Sequence, residues 1–151
     1  MKKRILVIDD EPDFTYMLKL SLESMGYYRV GVENEATRAL RAAREFAPDL
    51  IVLDIMMPGL DGSEVAARIR TDPDLRDVPV LFMTALVSHR EARGGSCSSG
   101  GQTFLPKTLG TGKLIECIEE KLAAIARDRA EPVAVPMIES PSYAGVVAMA
   151  G

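Results

Sequence analysis

Leu50-Ile51-Val52-Leu53 is an unbroken apolar run of strand length, and it ends at Asp54. A strand without polar alternation is typical of the centre of a parallel sheet, because helices cover both of its faces. A loop that contains Pro58, Gly59 and Gly62 follows this run, and a helical pattern comes next. The order of strand, loop and helix predicts one unit of an α/β fold with a carboxylate at the end of a central strand.

Three other apolar runs also end in a polar residue. They are Ile5 to Ile8 before Asp9-Asp10, Val80 to Met83 before Thr84, and Thr103 to Pro106 before Lys107. Tyr28 to Val32 is the fifth predicted strand, and apolar residues at helical spacing lie between the strands. We therefore expect a doubly wound sheet of five parallel strands, with right-handed crossovers and helices on both faces.

The residues at the expected helix ends agree with this order. Pro12 suits the first turn of the first helix, and Gly26 is expected to stop it. Asn34 is expected to cap a second helix that Pro48 closes, and the last helix is expected from about residue 112 to residue 129.

The residues that could bind a ligand or take part in a reaction lie at the carboxyl ends of the strands. In a doubly wound sheet these ends meet at one edge, where ligands bind. Asp9, Asp10 and Asp54 would then be crowded together and repel one another, and a hard divalent cation is the usual remedy. Thr84 and Lys107 would project from the same edge.

Composition limits the possible partners. The 151 residues have a net charge of -4, with Lys2-Lys3-Arg4 as the only cationic run, which argues against a nucleic-acid surface. Cys97 and Cys117 have no metal-like spacing, so we expect reduced thiols in a cytoplasmic protein. No apolar run approaches membrane-spanning length, and we expect no membrane insertion.

Two segments depart from the alternation of strand and helix. Gly94 to Gly101 holds only Gly, Ser and Cys where a fourth helix should finish, so helix there should be short or frayed. After residue 130, Pro132, Pro136 and Pro141 interrupt a run rich in Ala and Val. We expect one domain over residues 1–128 and a flexible tail or truncated linker over residues 129–151, with a docking peptide as the alternative for the tail.

The ordered set of motifs resembles the receiver domain of two-component response regulators, in its stand-alone, chemotaxis-regulator-like form. The set consists of Asp9-Asp10-Glu11-Pro12, the string from Asp54 to Gly62, Thr84-Ala85 and Lys107. The resemblance covers residues 1 to about 128. It implies a flavodoxin-like fold with strand order 2-1-3-4-5.

The same resemblance implies a role for each matching residue. Asp54 would accept a phosphoryl group, and Asp9, Asp10, Asp54 and the backbone carbonyl of Met56 would hold Mg²⁺. Lys107 would pair with Asp54 and then with a phosphoryl oxygen, and the Thr84 hydroxyl would donate to another. Phe104 stands where the family carries an aromatic residue that changes rotamer on activation.

Each residue taken alone also has an ordinary structural interpretation. Asp10 could be a helix N-cap, Thr84 a strand-end hydroxyl, Lys107 a solvated surface charge and Phe104 core filling. The functional interpretation depends on their occurrence together.

The predicted function is a Mg²⁺-dependent phosphoaspartate signalling switch. The implied partners are a sensor histidine kinase or phosphotransfer protein and a downstream protein target, with the chain a monomer or weak dimer. It would catalyse only its own phosphotransfer and dephosphorylation, so we do not class it as an enzyme. One alternative is a degenerate receiver that acts as a phosphorylation-independent interaction module. Another is an aspartate-nucleophile phosphatase, but Met56 stands where that chemistry generally uses a second Asp.

One position departs from the family pattern. The family usually has Pro after its lysine, joined by a cis bond, whereas here Pro106 precedes Lys107 and Thr108 follows it. A cis bond without proline costs about 3–4 kcal/mol, so we expect a trans bond between Lys107 and Thr108. Pro106 is compatible with this strand if the strand lies at the sheet edge.

Overall fold

Six strands form one sheet in the computed structural model, which describes residues 1–85, 97–99 and 102–130. The strands are β1 (Lys3–Ile8), β2 (Tyr28–Glu33), β3 (Leu50–Asp54), β4 (Val80–Thr84), β5 (Cys97–Ser99) and β6 (Gln102–Pro106). Their order in the sheet is β2-β1-β3-β4-β6-β5.

Five of the six strands are parallel and have the predicted order. The parallel pairs are β1 with β2, β1 with β3, β3 with β4, and β4 with β6. The strand predicted from Thr103 to Pro106 is therefore β6, fifth among the parallel strands along the chain, and the order 2-1-3-4-5 is confirmed. The sequence did not predict β5, a three-residue strand that pairs antiparallel with β6.

The helices are α1 (Pro12–Ser24), α2 (Ala39–Phe46), α3 (Gly62–Thr71) and α4 (Thr111–Ala130), and single 3₁₀ turns cover Ala36–Arg38 and Lys107–Leu109. Pro12 opens α1 as predicted, and Gly26 follows α1 with a positive φ of 88°. Asn34 does not cap a helix, because the 3₁₀ turn separates it from α2. Residues 1–118 form one compact unit, and the helical residues 119–130 belong to a second.

The core lies on both faces of the sheet. Alternate residues of the central strands, such as Leu6, Ile51 and Phe82, pack with buried residues of α2 and α3. The intervening strand residues, such as Val7 and Val52, are also buried, and α1 and α4 supply further buried residues. Apolar side chains therefore surround β1 and β3, as the unbroken apolar runs predicted.

Pro106 is accommodated in a way that the sequence did not predict. The strand β6 lies between β4 and β5 and is not at the edge of the sheet. The pairing with β5 ends at Phe104, however, so Pro106 lies beyond the last residue pair on that side. Proline therefore removes no ladder hydrogen bond there.

Several predictions concern residues outside the described ranges. They include the expected fourth helix before β5 and most of the expected tail. Among the helices that the structure does describe, none combines the length and the apolar character needed to cross a membrane.

Candidate functional site

The carboxyl ends of β1 and β3 bring three aspartates together. Asp9 follows β1 directly and Asp54 ends β3, and these two strands are paired up to Ile8 and Leu53. Asp9, Asp10 and Asp54 each offer a carboxylate oxygen within 4.8 Å of the others. Asp9 and Asp54 are buried, with 0% and 2% of their surface exposed. Apolar strands thus carry two carboxylates into an environment that disfavours their charge.

Lys107 supplies the positive charge to this cluster. Its 3₁₀ turn follows β6 directly, and only 11% of its side chain is exposed. Its Nζ lies 2.7 Å from Asp9 Oδ2, 3.0 Å from Glu11 Oε1 and 3.1 Å from Asp54 Oδ2. The Phe14 ring lies 5.1 Å below the ammonium. Lys107 is therefore no solvated surface charge, and it pairs with Asp54 as expected.

One oxygen of Asp9 is left without a hydrogen bond in the described part of the chain. Oδ1 accepts the backbone N–H of Glu11 at 2.9 Å, but Oδ2 is buried and meets Lys107 only as a close charge contact. The ammonium still stabilises this oxygen, because opposite charges 2.7 Å apart attract whatever the hydrogen-bond angle. A buried carboxylate oxygen with unused lone pairs is a suitable ligand for a hard cation.

The carboxylate cluster fits a magnesium ion. Opposite ligands of one octahedral Mg²⁺ are about 4.2 Å apart, since each bond is about 2.0–2.1 Å long. The three oxygens lie within 4.8 Å of one another, so a small adjustment, for which partly exposed Asp10 has the most freedom, would let them share one ion. The donors are all oxygens, as Mg²⁺ prefers.

Burial and ion pairing act in opposite directions on the charged groups. Burial raises the pKa of Asp9 to about 6, although Lys107 and the Glu11 backbone N–H lower it. Burial likewise raises the pKa of Asp54, against the lowering effect of Lys107. Burial lowers the pKa of Lys107, but its carboxylate partners raise it more, so the net change is upward. The two buried aspartates therefore carry their charge at a cost in stability.

Asp9→Asn is expected to stabilise the metal-free protein at neutral pH. Folded Asp9 binds its proton more tightly than unfolded Asp9, so its contribution favours folding below about pH 4 and is lost as the pH rises through about 6. The variant should exceed the wild type in free energy of unfolding by about 2–3 kcal/mol at about pH 7.5. Urea denaturation should show this difference shrinking by about 2 kcal/mol towards about pH 4.5. Asp77→Asn, at an exposed position, is the control; an equal change in both variants would contradict the assignment to Asp9.

The loop between β3 and α3 holds Asp54 in place. The Met56 N–H donates to Asp54 Oδ1 at 3.2 Å, while the Met56 side chain is 53% exposed. The Gly62 N–H donates to the Ile55 carbonyl at 2.9 Å. A Cβ on Gly62 would lie 2.6 Å from Ile55 Cα and still closer to the Asp54 carbonyl oxygen. The loop therefore closes tightly against the end of β3, and only glycine fits at position 62.

Thr84 lies on the strand next to Asp54, and Phe104 lies one strand further away. Thr84 ends β4 and is buried, one position beyond the residue paired with Asp54. Phe104 is half-buried on β6 and stacks on Phe82 of β4, with 5.2 Å between the ring centroids. The structure thus brings Asp9, Asp10, Asp54, Met56, Thr84 and Lys107 to one edge of the sheet, whereas Phe104 lies in the middle of β6. Their roles in phosphoryl chemistry remain predictions.

Two residues near the site were missed as contributors by sequence reasoning. Asn34, expected as a helix cap, donates from Nδ2 to the Asp9 carbonyl oxygen at 2.7 Å and to Thr15 Oγ1 at 3.0 Å. Glu11, noted only as part of a motif, reaches Lys107 and occupies the N-cap position that had been considered for Asp10. Their positions in the sequence could have indicated this role, because Glu11 follows β1 and Asn34 follows β2, and both strands end at this edge of the sheet.

Comparison with known proteins agrees with this arrangement. The family profile described as "Response regulator receiver domain" matches residues 5–119. The chain belongs to this receiver family. The predicted family is therefore confirmed, and receiver domains of this family are phosphorylation-dependent switches in two-component signalling.

The receiver shares moderate identity with longer regulators. It is 38% identical over 109 residues to the response regulator PleD of Caulobacter vibrioides, covering 72% of this chain and 24% of PleD. It is 31% identical over 139 residues to the DNA-binding response regulator MtrA of Mycolicibacterium smegmatis, covering 92% of this chain and 59% of MtrA. The receiver thus spans about a quarter of one relative and under two thirds of the other.

A solved structure supports the same fold. A putative response regulator from Chloroflexus aurantiacus matches with a TM-score of 0.68 and 27% identity, covering 82% of this chain and 99% of that one. The bond between Lys107 and Thr108 is trans, as predicted, since no cis bond occurs among the described residues of the receiver.

Proposed function

We propose that this receiver is a Mg²⁺-dependent switch that is phosphorylated on Asp54. The observation that carries the proposal is the position of Asp54. Its carboxylate ends a central strand, lies within 4.8 Å of two further carboxylates and is 3.1 Å from a lysine ammonium. An acceptor carboxylate, a place for a metal and a fixed cation are the parts that phosphoryl transfer needs.

The residues proposed to hold the ion are Asp9, Asp10 and Asp54 with the backbone carbonyl of Met56. Two observations support this set: Asp9 Oδ2 accepts no hydrogen bond within the described residues, and all the donors are oxygens. When bound there, Mg²⁺ would neutralise charge on the phosphoryl oxygens during transfer. The Asn34 hydrogen bond to the Asp9 carbonyl and the Glu11 N–H on Asp9 Oδ1 help to fix the first ligand.

In the proposed transfer, an Asp54 carboxylate oxygen attacks phosphorus. A new oxygen–phosphorus bond forms while the bond from phosphorus to the donor atom breaks, and the donor keeps the electron pair and takes up a proton. Lys107 moves from the aspartates to a phosphoryl oxygen, and the Thr84 hydroxyl donates to another. Both residues act by stabilising charge on the transferred group.

The signal is proposed to leave the site through Thr84 and Phe104. A Thr84 hydroxyl drawn to the phosphoryl group would change the space beside β6, where Phe104 is only half-buried. The proposed phosphodonor is a histidine kinase or phosphotransfer protein, and the proposed target is a protein, with no nucleic-acid contact by residues 1–128. A tail or linker over residues 129–151 and a cytoplasmic location belong to the same proposal.

Incubation with acetyl phosphate and Mg²⁺, followed by intact-mass measurement, tests the proposal. The wild type should gain the mass of one phosphoryl group, whereas Asp54→Asn should gain none, and EDTA should abolish the wild-type adduct. Asp49→Asn, another aspartate beside β3, should be phosphorylated like the wild type. A wild type that binds Mg²⁺ but forms no adduct would contradict the proposal and favour a phosphorylation-independent interaction module.

A further inference from the structure

Glu11 contacts the catalytic lysine without belonging to the carboxylate cluster. Its Oε1 accepts a hydrogen bond from Lys107 Nζ at 3.0 Å, across 96 residues of sequence. The Glu11 side chain is 63% exposed, whereas those of Asp9 and Asp54 are almost fully buried. Glu11 therefore lies on the solvent side of the ammonium, and the aspartates lie on its inner side.

The hydrogen bonds of Lys107 are divided between these two sides. The ammonium donates to Glu11 on the outside and to Asp54 on the inside, and its contact with Asp9 Oδ2 lacks hydrogen-bond geometry. The Glu11 backbone N–H also donates to Asp9 Oδ1. One residue thus contacts both Lys107 and the first aspartate.

A divalent cation would compete with Lys107 for the inner carboxylates. Asp9 and Asp54 are contacts of the ammonium and also members of the cluster that could share an ion. Two positive groups cannot lie close together on the same oxygens without repulsion. Of the three carboxylates that contact Lys107 within the described residues, only Glu11 lies outside that cluster, so it can keep the ammonium when the aspartates turn to the ion.

We propose that Glu11 is a positioning residue that holds the Lys107 ammonium on the outer side of the pocket while Asp9 and Asp54 bind a divalent cation. The inference rests on the Mg²⁺ site of the proposed function. Glu11 favours metal binding because it gives the lysine a carboxylate partner that the ion does not use. It also keeps the lysine within reach of Asp54.

Titration calorimetry with Mg²⁺ tests the metal-binding part. Glu11→Gln should weaken Mg²⁺ binding about three- to fivefold, as expected for loss of one solvent-exposed ion pair. Asp13→Asn is the matched control, because Asp13 is an exposed carboxylate in the first turn of α1 and removes the same charge. It should weaken binding less than about twofold, since only long-range attraction is lost.

A double-mutant cycle with Lys107→Met shows whether the effect acts through the lysine. In that background Glu11→Gln should weaken Mg²⁺ binding no more than Asp13→Asn does, because there is no ammonium to hold. Equal effects of Glu11→Gln with and without Lys107, or equal effects of Glu11→Gln and Asp13→Asn, would overturn the inference.

A metal-free measurement separates this inference from the proposed function. In EDTA, NMR relaxation of the Lys107 Cε group should report a more mobile side chain in Glu11→Gln than in the wild type or Asp13→Asn. Unchanged mobility would contradict the positioning role. If the lysine becomes mobile but the wild type binds no Mg²⁺, the lysine contact stands and the metal-dependent function fails.

Discussion

Gly62→Ala is expected to lower the free energy of unfolding by about 3 kcal/mol or more. The added Cβ would lie 2.6 Å from Ile55 Cα and closer still to the Asp54 carbonyl oxygen. These are backbone atoms at the end of a buried strand, so the clash cannot be relieved by rotating a side chain. Relief requires displacement of the loop, which would also break the Gly62 N–H bond to the Ile55 carbonyl. Urea denaturation in the absence of metal measures the loss.

Gly112→Ala is the matched control for this variant. Gly112 lies in the first turn of α4, and a Cβ there would meet nothing within 4 Å. Alanine is the better helix former, so this change should be neutral or stabilise by up to about 1 kcal/mol. A Gly62→Ala protein as stable as Gly112→Ala would show that the loop is not closed against β3 as described.

Lys107→Met is expected to have opposite effects on stability and on metal affinity. Without the ammonium, buried Asp9 and Asp54 have lost their cation, and the metal-free protein should lose about 2–4 kcal/mol at neutral pH. Mg²⁺ should bind more tightly than to the wild type, because no lysine competes for the same oxygens. Added Mg²⁺ should then restore stability in proportion to its binding. Urea denaturation with and without Mg²⁺ gives both quantities.

Lys113→Met controls for loss of one positive charge. Lys113 pairs with Glu116 on the surface of α4 and is 50% exposed. An exposed pair of this kind contributes about 1 kcal/mol or less, and it should not alter Mg²⁺ affinity measurably. If Lys107→Met is as mild as Lys113→Met, or if its metal affinity falls, Lys107 does not compete for the inner carboxylates.

The position of the site could be predicted because strand ends determine it. Apolar runs that each end in Asp, Thr or Lys leave only one edge of a parallel sheet for these side chains. The burial of Asp54 and the depth of Lys107 follow from the same runs. A helix cap was the wrong prediction for Asn34, because the 3₁₀ turn after it depends on packing that the local sequence does not encode.

The contacts of Glu11 and the strand β5 could not be predicted, for two different reasons. The contacts of Glu11 depend on residues far apart in sequence, whereas β5 pairs with the next strand along the chain. The hydrogen bond of Glu11 exists only once β6 lies beside β4 and brings Lys107 over α1. The strand β5 comes from a segment of Gly, Ser and Cys, whose weak intrinsic preference for strand is overridden by pairing with β6.

Lys107 is far in sequence from the carboxylates that it contacts, and this separation affects how the protein is synthesised. Lys107 joins its partners across 96 residues at Glu11 and 53 residues at Asp54. A chain emerging from the ribosome therefore presents all its pocket carboxylates before their counter-ion has been synthesised. Until β6 and Lys107 leave the exit tunnel, the carboxyl edge of β1 and β3 carries uncompensated negative charge. Among the strands that the structure describes, β6 is the last in the chain, so its docking completes the sheet and brings Lys107 to the pocket carboxylates in the same step.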